Sequence, residues 1–350
     1  MQYLLKDILT PYSKKNAENK YEPVAVGKYG IRKRSNIYKK ELADDYSKNK
    51  LIYKDTLTIG LGSKQIDFGV LIDDATYSVS PAYSTFEINT NIVLSKWFQY
   101  CLDAHNAIYT KKYMIASARQ GKKVDVTNLL LEQIEVPPFD IQQQIVDIIE
   151  KVQNIIIGTT NRIALYDELV KSRFIELFDG KGYPTLKWND VYTTTTGKLD
   201  SNAMVENGEY PFFTCAKEVF RIDKYAFDQE ALLLAGNNAA GKYDVKYYKG
   251  KFNAYQRTYV LGLKEDWSYQ LFRYQLEDKL VYLQQQSLGG LTKYLTLKIL
   301  GELEFIVPPM DKQNEFTAFV EQTDKSKLAA TETLKYLEEL KASLMNKYFG

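Results

Sequence analysis

The sequence predicts an α+β protein: two duplicated mixed α/β domains, separated by two long helical repeats that pair with one another. Three observations predict it. The chain has 350 residues, too many for one ordinary domain of roughly 100–150 residues. It repeats itself at a fixed offset. It also carries two stretches of seven-residue apolar periodicity, one after each variable block. Hydrophobic residues make up 45% and charged residues 26%, the profile of a core-forming chain. No run of about 18 apolar residues occurs, so a membrane span is not expected. Met1–Asp7 has no cationic start followed by an apolar stretch, so no signal peptide is expected.

The repeat sets the domain boundaries. Val136, Pro137, Pro138, Asp140 and Gln142 recur as Val307, Pro308, Pro309, Asp311 and Gln313. The same offset of 171, without a gap, pairs Glu168-Leu169 with Glu339-Leu340, Ser172 with Ser343, and Phe178 with Phe349. The chain therefore divides into a first variable block at 1–135, a helical block at 136–180, a second variable block at 181–307 and a second helical block at 308–350. The charge follows this division weakly. Residues 1–135 hold 20 Lys/Arg against 15 Asp/Glu and residues 181–307 hold 16 against 15, while both helical blocks are mildly acidic. A polyanion would face the variable blocks.

Each variable block reads as strands and turns followed by a helix. Residues 50–59 form a strand entering the loop Gly60-Leu61-Gly62, and 230–235 form its counterpart before Gly236-Asn237-Asn238. Helices are expected over 92–109, around Trp97, Phe98 and Leu102, and over 267–286, around Trp267, Leu271, Leu276 and Leu280. Matched helices after matched strands indicate a duplicated α/β domain. The Pro-Pro pair then ends the preceding strand. In the first helical block Ile149, Ile156, Ile163, Val170 and Leu177 recur every seven residues, and Ile145, Ile148, Val152, Ile155, Tyr166, Leu169 and Phe174 widen the stripe. The second block has Phe316, Phe319, Val320, Ala330, Leu334, Leu337, Leu340, Leu344 and Tyr348. Such seams suit another helix. Gly158, and Thr323 before Asp324, are expected to break each block into a short and a long helix.

The chemistry-bearing residues exclude more than they assert. Two cysteines, Cys101 and Cys215, make no disulfide scaffold and fit a reducing, cytoplasmic location. A single histidine, His105, leaves almost no zinc site and few histidine-dependent mechanisms; it reads as a helix-surface residue. Gly236-Asn-Asn-Ala-Ala-Gly241-Lys242-Tyr243 fits G-x4-G-K, but Tyr243 stands where a phosphate loop needs a hydroxyl for magnesium. The next residues, Asp244-Val245-Lys246-Tyr247-Tyr248, look like a strand rather than a helix. Glu18-Asn19-Lys20 lacks the partnered aspartate of a nuclease. No Asn-Pro-Pro-aromatic tetrapeptide is present for amine methylation. No metal site and no cofactor site is expected in this chain, and no catalytic residue is assigned.

What remains is a set of loops that combine glycine, amides and cations. The candidates are Lys28, Arg32, Lys33, Arg34, Lys64, Gln65, Arg119, Lys122 and Lys123 in the first block. In the second they are Lys198, Asn237, Asn238, Lys242, Lys249, Lys251, Gln256 and Arg257. Lysine and arginine neutralise phosphates. Arginine reads guanine bidentately, and asparagine or glutamine reads adenine. Each loop taken singly also fits a plain solvated surface; Arg32-Lys33-Arg34 is the strongest single signal. The 28 tyrosines fit sheet packing first.

The doubled Val-Pro-Pro-x-Asp-x-Gln element, each copy followed by an apolar-striped helix ending near Phe178 and Phe349, resembles the specificity subunit of type I restriction–modification systems over essentially the whole chain. Lys249-Gly250-Lys251-Phe252-Asn253 also resembles a recurrent element of its recognition domains, and Ser80-Pro81-Ala82-Tyr83 takes that place in the first block. The resemblance implies two target-recognition domains and two helical spacers paired as an antiparallel coiled coil. It implies a non-catalytic DNA-binding chain in which each domain reads one half of a bipartite asymmetric site. The helices would set the spacing and dock two methyltransferase subunits of an adenine-N6 methyltransferase and endonuclease complex, which restriction/translocase subunits can join. S-adenosylmethionine would bind the methyltransferase partner, and ATP and magnesium the restriction partner. Two other readings stay open: the recognition chain of a related, type IIB-like restriction system, and a two-domain protein scaffold that binds no DNA.

Overall fold

A computed structural model of the chain describes residues 1–28, 30–37, 45–116, 121–238, 241–290 and 292–350. It forms two compact units, residues 1–160 with 332–350, and residues 161–331. The first unit holds, in order, β1 (Gln2–Leu4), α1 (Leu5–Ile8), β2 (Leu9–Tyr12), β3 (Val24–Gly27), β4 (Gly30–Lys33), β5 (Lys50–Tyr53), β6 (Thr56–Leu61), β7 (Ile66–Leu71), β8 (Thr76–Val79), β9 (Ser84–Ile88), α2 (Ser95–Tyr113), β10 (Met114–Ala116), β11 (Lys122–Val124), α3 (Val126–Leu129) and β12 (Gln133–Glu135). Then α4 (Phe139–Phe178) runs on into the second unit. That unit holds β13 (Thr185–Lys187), α5 (Trp188–Val191), β14 (Tyr192–Thr196), β15 (Tyr210–Phe213), β16 (Phe220–Ile222), β17 (Phe227–Ala235), β18 (Asn237–Asn238), β19 (Val245–Ala254), β20 (Thr258–Leu263), α6 (Tyr269–Asp278), α7 (Leu280–Gln286), β21 (Lys293–Tyr294), α8 (Leu297–Gly301) and β22 (Glu304–Ile306). Finally α9 (Met310–Phe349) starts in the second unit and ends in the first.

The duplication is structural. The central sheet of the first unit has the order β2-β9-β6-β7, and that of the second begins β14-β20-β17-β19 before adding β15 and β16. In both, the strand order is first, last, second, third. A short antiparallel pair, β1 with β12 and β13 with β22, closes each unit near the start of a long helix. From β12 onward the element boundaries recur at the 171-residue offset: Gln133–Glu135 matches Glu304–Ile306, and Phe139–Phe178 matches Met310–Phe349.

Burial explains the strands. Leu232 and Leu234 of β17 enter one core with Phe272, Leu276 and Phe305, while Ala231 and Leu233 enter another with Phe213, Phe252 and Val260. Alternate residues of a strand face opposite ways, so a continuous apolar run such as Ala-Leu-Leu-Leu-Ala marks a strand covered on both faces. The first unit repeats this. Leu57 and Ile59 of β6 pack with Trp97 and Phe98 of α2, and Val24, Ile52, Leu71 and Val79 form a second cluster.

Gln142 and Gln313, identical in the repeat and fully buried, do the same work in each unit. The Gln142 side-chain oxygen accepts from Leu94 N–H at 2.7 Å, ahead of α2, and its amide donates to Ile92 O at 3.1 Å and Pro137 O at 2.9 Å. Gln313 accepts from Ser268 N–H at 2.9 Å, ahead of α6, and donates to Pro308 O at 2.8 Å. One buried amide thus ties the start of the long helix to the start of the domain helix, satisfying backbone groups that would otherwise lie unpaired.

Several expectations are corrected. Gly158 and Thr323 break neither helix: each runs 40 residues without interruption. Thr323 stays in register because its hydroxyl donates to Phe319 O at 2.8 Å. Residues 50–59 are two strands, not one; Asp55, with φ of 61°, turns the chain between β5 and β6. Segment 267–286 is α6 and α7, parted at Lys279. His105 is half-buried, its ring 5.5 Å from that of Tyr109.

The seam follows the heptad. Within the first unit Ile145, Val146 and Ile149 of α4 share a core with Phe349 of α9, and Lys341 Nζ donates to Gln153. Within the second, Phe174 and Phe178 pack edge-on against Phe316 at 5.7 and 5.6 Å, and Lys327 meets Asp167 at 2.5 Å. Early α4 meets late α9 and late α4 meets early α9, which is antiparallel pairing. Ile148, Ile155, Leu169 and Leu340, expected within the stripe, are instead exposed, because a two-helix seam buries a narrow strip of each helix.

Candidate nucleic-acid interface

In the second unit, six of the expected residues converge where β14 and β17 end and β20 begins. Lys198 follows β14. Asn237 and Asn238 form β18, whose partners in β21 are Tyr294 and Lys293. Lys242 N–H reaches the Asn238 side-chain oxygen at 3.4 Å. Gln256 N–H donates to Leu199 O at 2.9 Å, and its side-chain amide donates to Asp200 at 2.7 Å. Arg257 O accepts from Gly236 N–H at 2.8 Å. A Cβ on Gly236 would lie 2.4 Å from Arg257 O, so only glycine lets these two segments close. Around them lies a cleft of about 280 Å³, lined by Thr196, Gly236, Gln256, Arg257, Tyr259 and Tyr294. Lys198, Lys242, Gln256 and Arg257 are exposed.

Lys249 and Lys251 are held elsewhere, on β19. Lys249 pairs with Glu230 at 2.9 Å, which raises the lysine pKa, and Lys251 lies 4.8 Å from the ring centre of Tyr225.

In the first unit the structure separates two groups. Lys64 and Gln65 occupy the turn from β6 to β7, the counterpart of the turn after β17. The turn closes through Gly62 N–H to Gln65 O at 2.9 Å. It is fastened to α2, since Ile66 N–H donates to Thr110 Oγ1 and Asn106 donates to Ile66 O, both at 3.0 Å. Lys122 and Lys123 are exposed on β11, which lies beside β6. Arg32, Lys33 and Arg34 lie with the other end of β7: Arg32 and Lys33 line a groove of about 520 Å³ with Val70, Leu71 and Ile72. The six residues of β7 put about 20 Å between the two groups. Lys33 is also tied to Glu22 at 2.9 Å, which raises its pKa. Lys28 sits in the β3–β4 turn. Arg119 lies outside the described residues.

Lys293 and Tyr294 escaped the sequence reasoning. The signal was there: at the 171-residue offset Lys122 recurs as Lys293, with Tyr294 at the position of Lys123. Ser80–Tyr83 does not take the place of Lys249–Asn253: the first is the connection from β8 to β9, as residues 255–257 connect β19 to β20, whereas the second lies inside β19.

The same strand ends, built twice and carrying cations and amides, are what a duplicated recognition domain provides. Comparison with known proteins decides the family. Residues 2–165 and 181–342 both match the type I restriction modification DNA specificity domain. The chain belongs to that family. Among curated members of this specificity family, the type I restriction enzyme EcoDI specificity subunit of Escherichia coli is 34% identical over 161 residues, a match spanning 45% of this chain and 34% of that relative. The chain thus aligns with about a third of its length. Among solved structures, the type I restriction-modification S subunit from M. genitalium matches with a TM-score of 0.64 at 14% identity, covering 100% of this chain and 96% of that one. A chain from a structure on complex assembly and conformational transition of the type I R-M system matches at 0.53 and 13% identity, covering 100% and 97%. Both likenesses are of fold. The specificity-family fold of two α/β domains with long helices is therefore the fold of this chain. Among the described residues no helix is long and apolar enough to cross a membrane.

Proposed function

We propose that this chain is the DNA-recognition subunit of a type I restriction–modification complex, and that residues 1–135 and 181–307 each read one half of a bipartite, asymmetric site. The observation that carries this reading is the repeated strand end: Lys198, Lys242, Gln256 and Arg257 in one unit and Lys64, Gln65, Lys122 and Lys123 at the corresponding place in the other. Cations there neutralise phosphates, and amides and arginine read base edges. The two sets differ in identity and order, so the two half-sites differ.

The helical spacers, 136–180 and 308–350, set the gap between half-sites. Supporting this, each spacer holds a single uninterrupted 40-residue helix, whose length is fixed by its residue count, so the gap is constant. The same helices dock two methyltransferase subunits. Supporting this, exposed apolar residues of the helices come in repeat-related pairs: Phe139 with Met310, Ile157 with Leu328, Leu165 with Tyr336, and Leu169 with Leu340. Each unit carries one member of every pair, so one partner surface finds two equivalent sites. The chemistry belongs to the partners: S-adenosylmethionine binds the methyltransferase, and ATP and magnesium bind a restriction/translocase subunit where one joins.

The test is a domain exchange. Replacing residues 181–305 with the matching block of another family member should change one half of the recognised sequence and leave the other half and the gap intact. A change in both halves, or in neither, rejects the assignment of one half-site to each domain.

A further inference from the structure

Beside the cationic strand end of the second unit lies an apolar groove that the charged contacts do not use. Met204, Cys215, Ala216, Phe220 and Tyr255 supply its apolar lining, beside Ser201, Asn202 and Thr214, and its volume is about 470 Å³. Met204 is 51% exposed, although a flexible thioether of that size ordinarily packs into a core. The groove is continuous with the proposed interface through three bonds. Cys215 Sγ donates to Arg257 O at 3.3 Å, Tyr255 N–H donates to Phe213 O at 2.9 Å, and Gln256 N–H donates to Leu199 O at 2.9 Å. Tyr255, Gln256 and Arg257 are consecutive. Their segment therefore carries the apolar groove on one side and the polar cleft of Thr196, Gly236 and Tyr294 on the other.

We infer that this groove takes the 5-methyl group of a thymine in the half-site read by the second domain. The inference rests on the proposed DNA-recognition role and deepens it. A DNA surface gives an apolar groove little to bind. In the major groove the thymine methyl is the one apolar projection on a base edge. With Arg257 and Gln256 on a neighbouring phosphate or base, the next base edge along lies against Met204 and Cys215. Sugar faces offer the other apolar contact, but they are common to all sequences. The two are separable by a single methyl group.

The experiment uses the full chain and a duplex carrying its recognised site, selected from random DNA. Each thymine of the half-site read by the second domain is replaced in turn by deoxyuridine, on both strands. The expected result is one position at which uracil weakens binding about four-fold, the worth of burying one methyl-sized group. In Met204→Ala, half-exposed and outside any core, thymine and uracil should bind alike at that position, with affinity for the unchanged half-site retained. Equal binding of thymine and uracil at every position in the wild-type chain overturns the groove assignment while the recognition role stands. A half-site without thymine on either strand overturns it as well. Absence of any sequence-selective binding overturns both.

Discussion

Cys215 is partly exposed beside Arg257, whereas Cys101 is buried and its thiol is pushed up to about 12 by loss of solvation. The thiolate is the reactive form, so a maleimide should label one thiol per native chain, at Cys215. Duplex DNA containing the recognised site should slow that labelling several-fold, and a duplex of unrelated sequence should slow it less. Equal labelling rates with and without DNA would place Arg257 and its neighbours off the interface. Arg257→Ala should weaken binding and lower the slope of log affinity against log salt by about one, the signature of one lost phosphate contact. A changed preference at one base with the slope intact would instead show that Arg257 reads a base. Lys33, already paired with Glu22, should change that slope less than Lys242, which is measured by comparing the two alanine variants in the same salt series.

At the scale of elements, the buried glutamines are the most exposed to test. Gln142→Ala leaves Leu94 N–H and two carbonyls without their partner, so it should cost about 1–3 kcal/mol. The loss should appear in the first unit, as faster hydrogen exchange at the start of α2, with α6 unaffected; Gln313→Ala should give the mirror result at α6. This pair was legible as a repeat, since Gln142 and Gln313 are identical at the common offset, but its purpose was not. A glutamine three residues into a helix reads as solvated until the fold brings Leu94 or Ser268 against it. The long helices were legible because their period is seven. Their continuity was not, because Gly158 is a breaker only by propensity, a weak term beside the packing of a 40-residue seam. Which flank of the stripe is buried was also hidden: period alone does not tell Ile149, buried, from Ile148, exposed. The candidate interface was half legible. Its residue types stand out in the sequence, but their grouping depends on strand pairings such as Asn237 with Tyr294, between residues far apart in the chain.

At the scale of the whole molecule, the last turns of α9 complete the first unit. Phe349 packs 5.7 Å from Trp97, within the core that holds Ile145 and Ile149. Phe349→Ala should destabilise that unit by about 3 kcal/mol, in the range for a buried phenylalanine. Removing residues 332–350 should expose Trp97 and lower its unfolding temperature, followed by tryptophan fluorescence, while exchange protection at Phe272 and Leu276 in the second unit persists. Loss of protection in both units together would show that they unfold as one.

On the proposed function, the two domains read two different half-sites at a fixed separation. The most direct measurement takes the chain co-purified with its methyltransferase partner, incubates the complex with a random DNA pool and S-adenosylmethionine, and sequences the methylated adenines. The expected result is a two-part asymmetric motif with one constant gap. A complex that assembles yet marks no defined motif, or marks a single uninterrupted one, would contradict it.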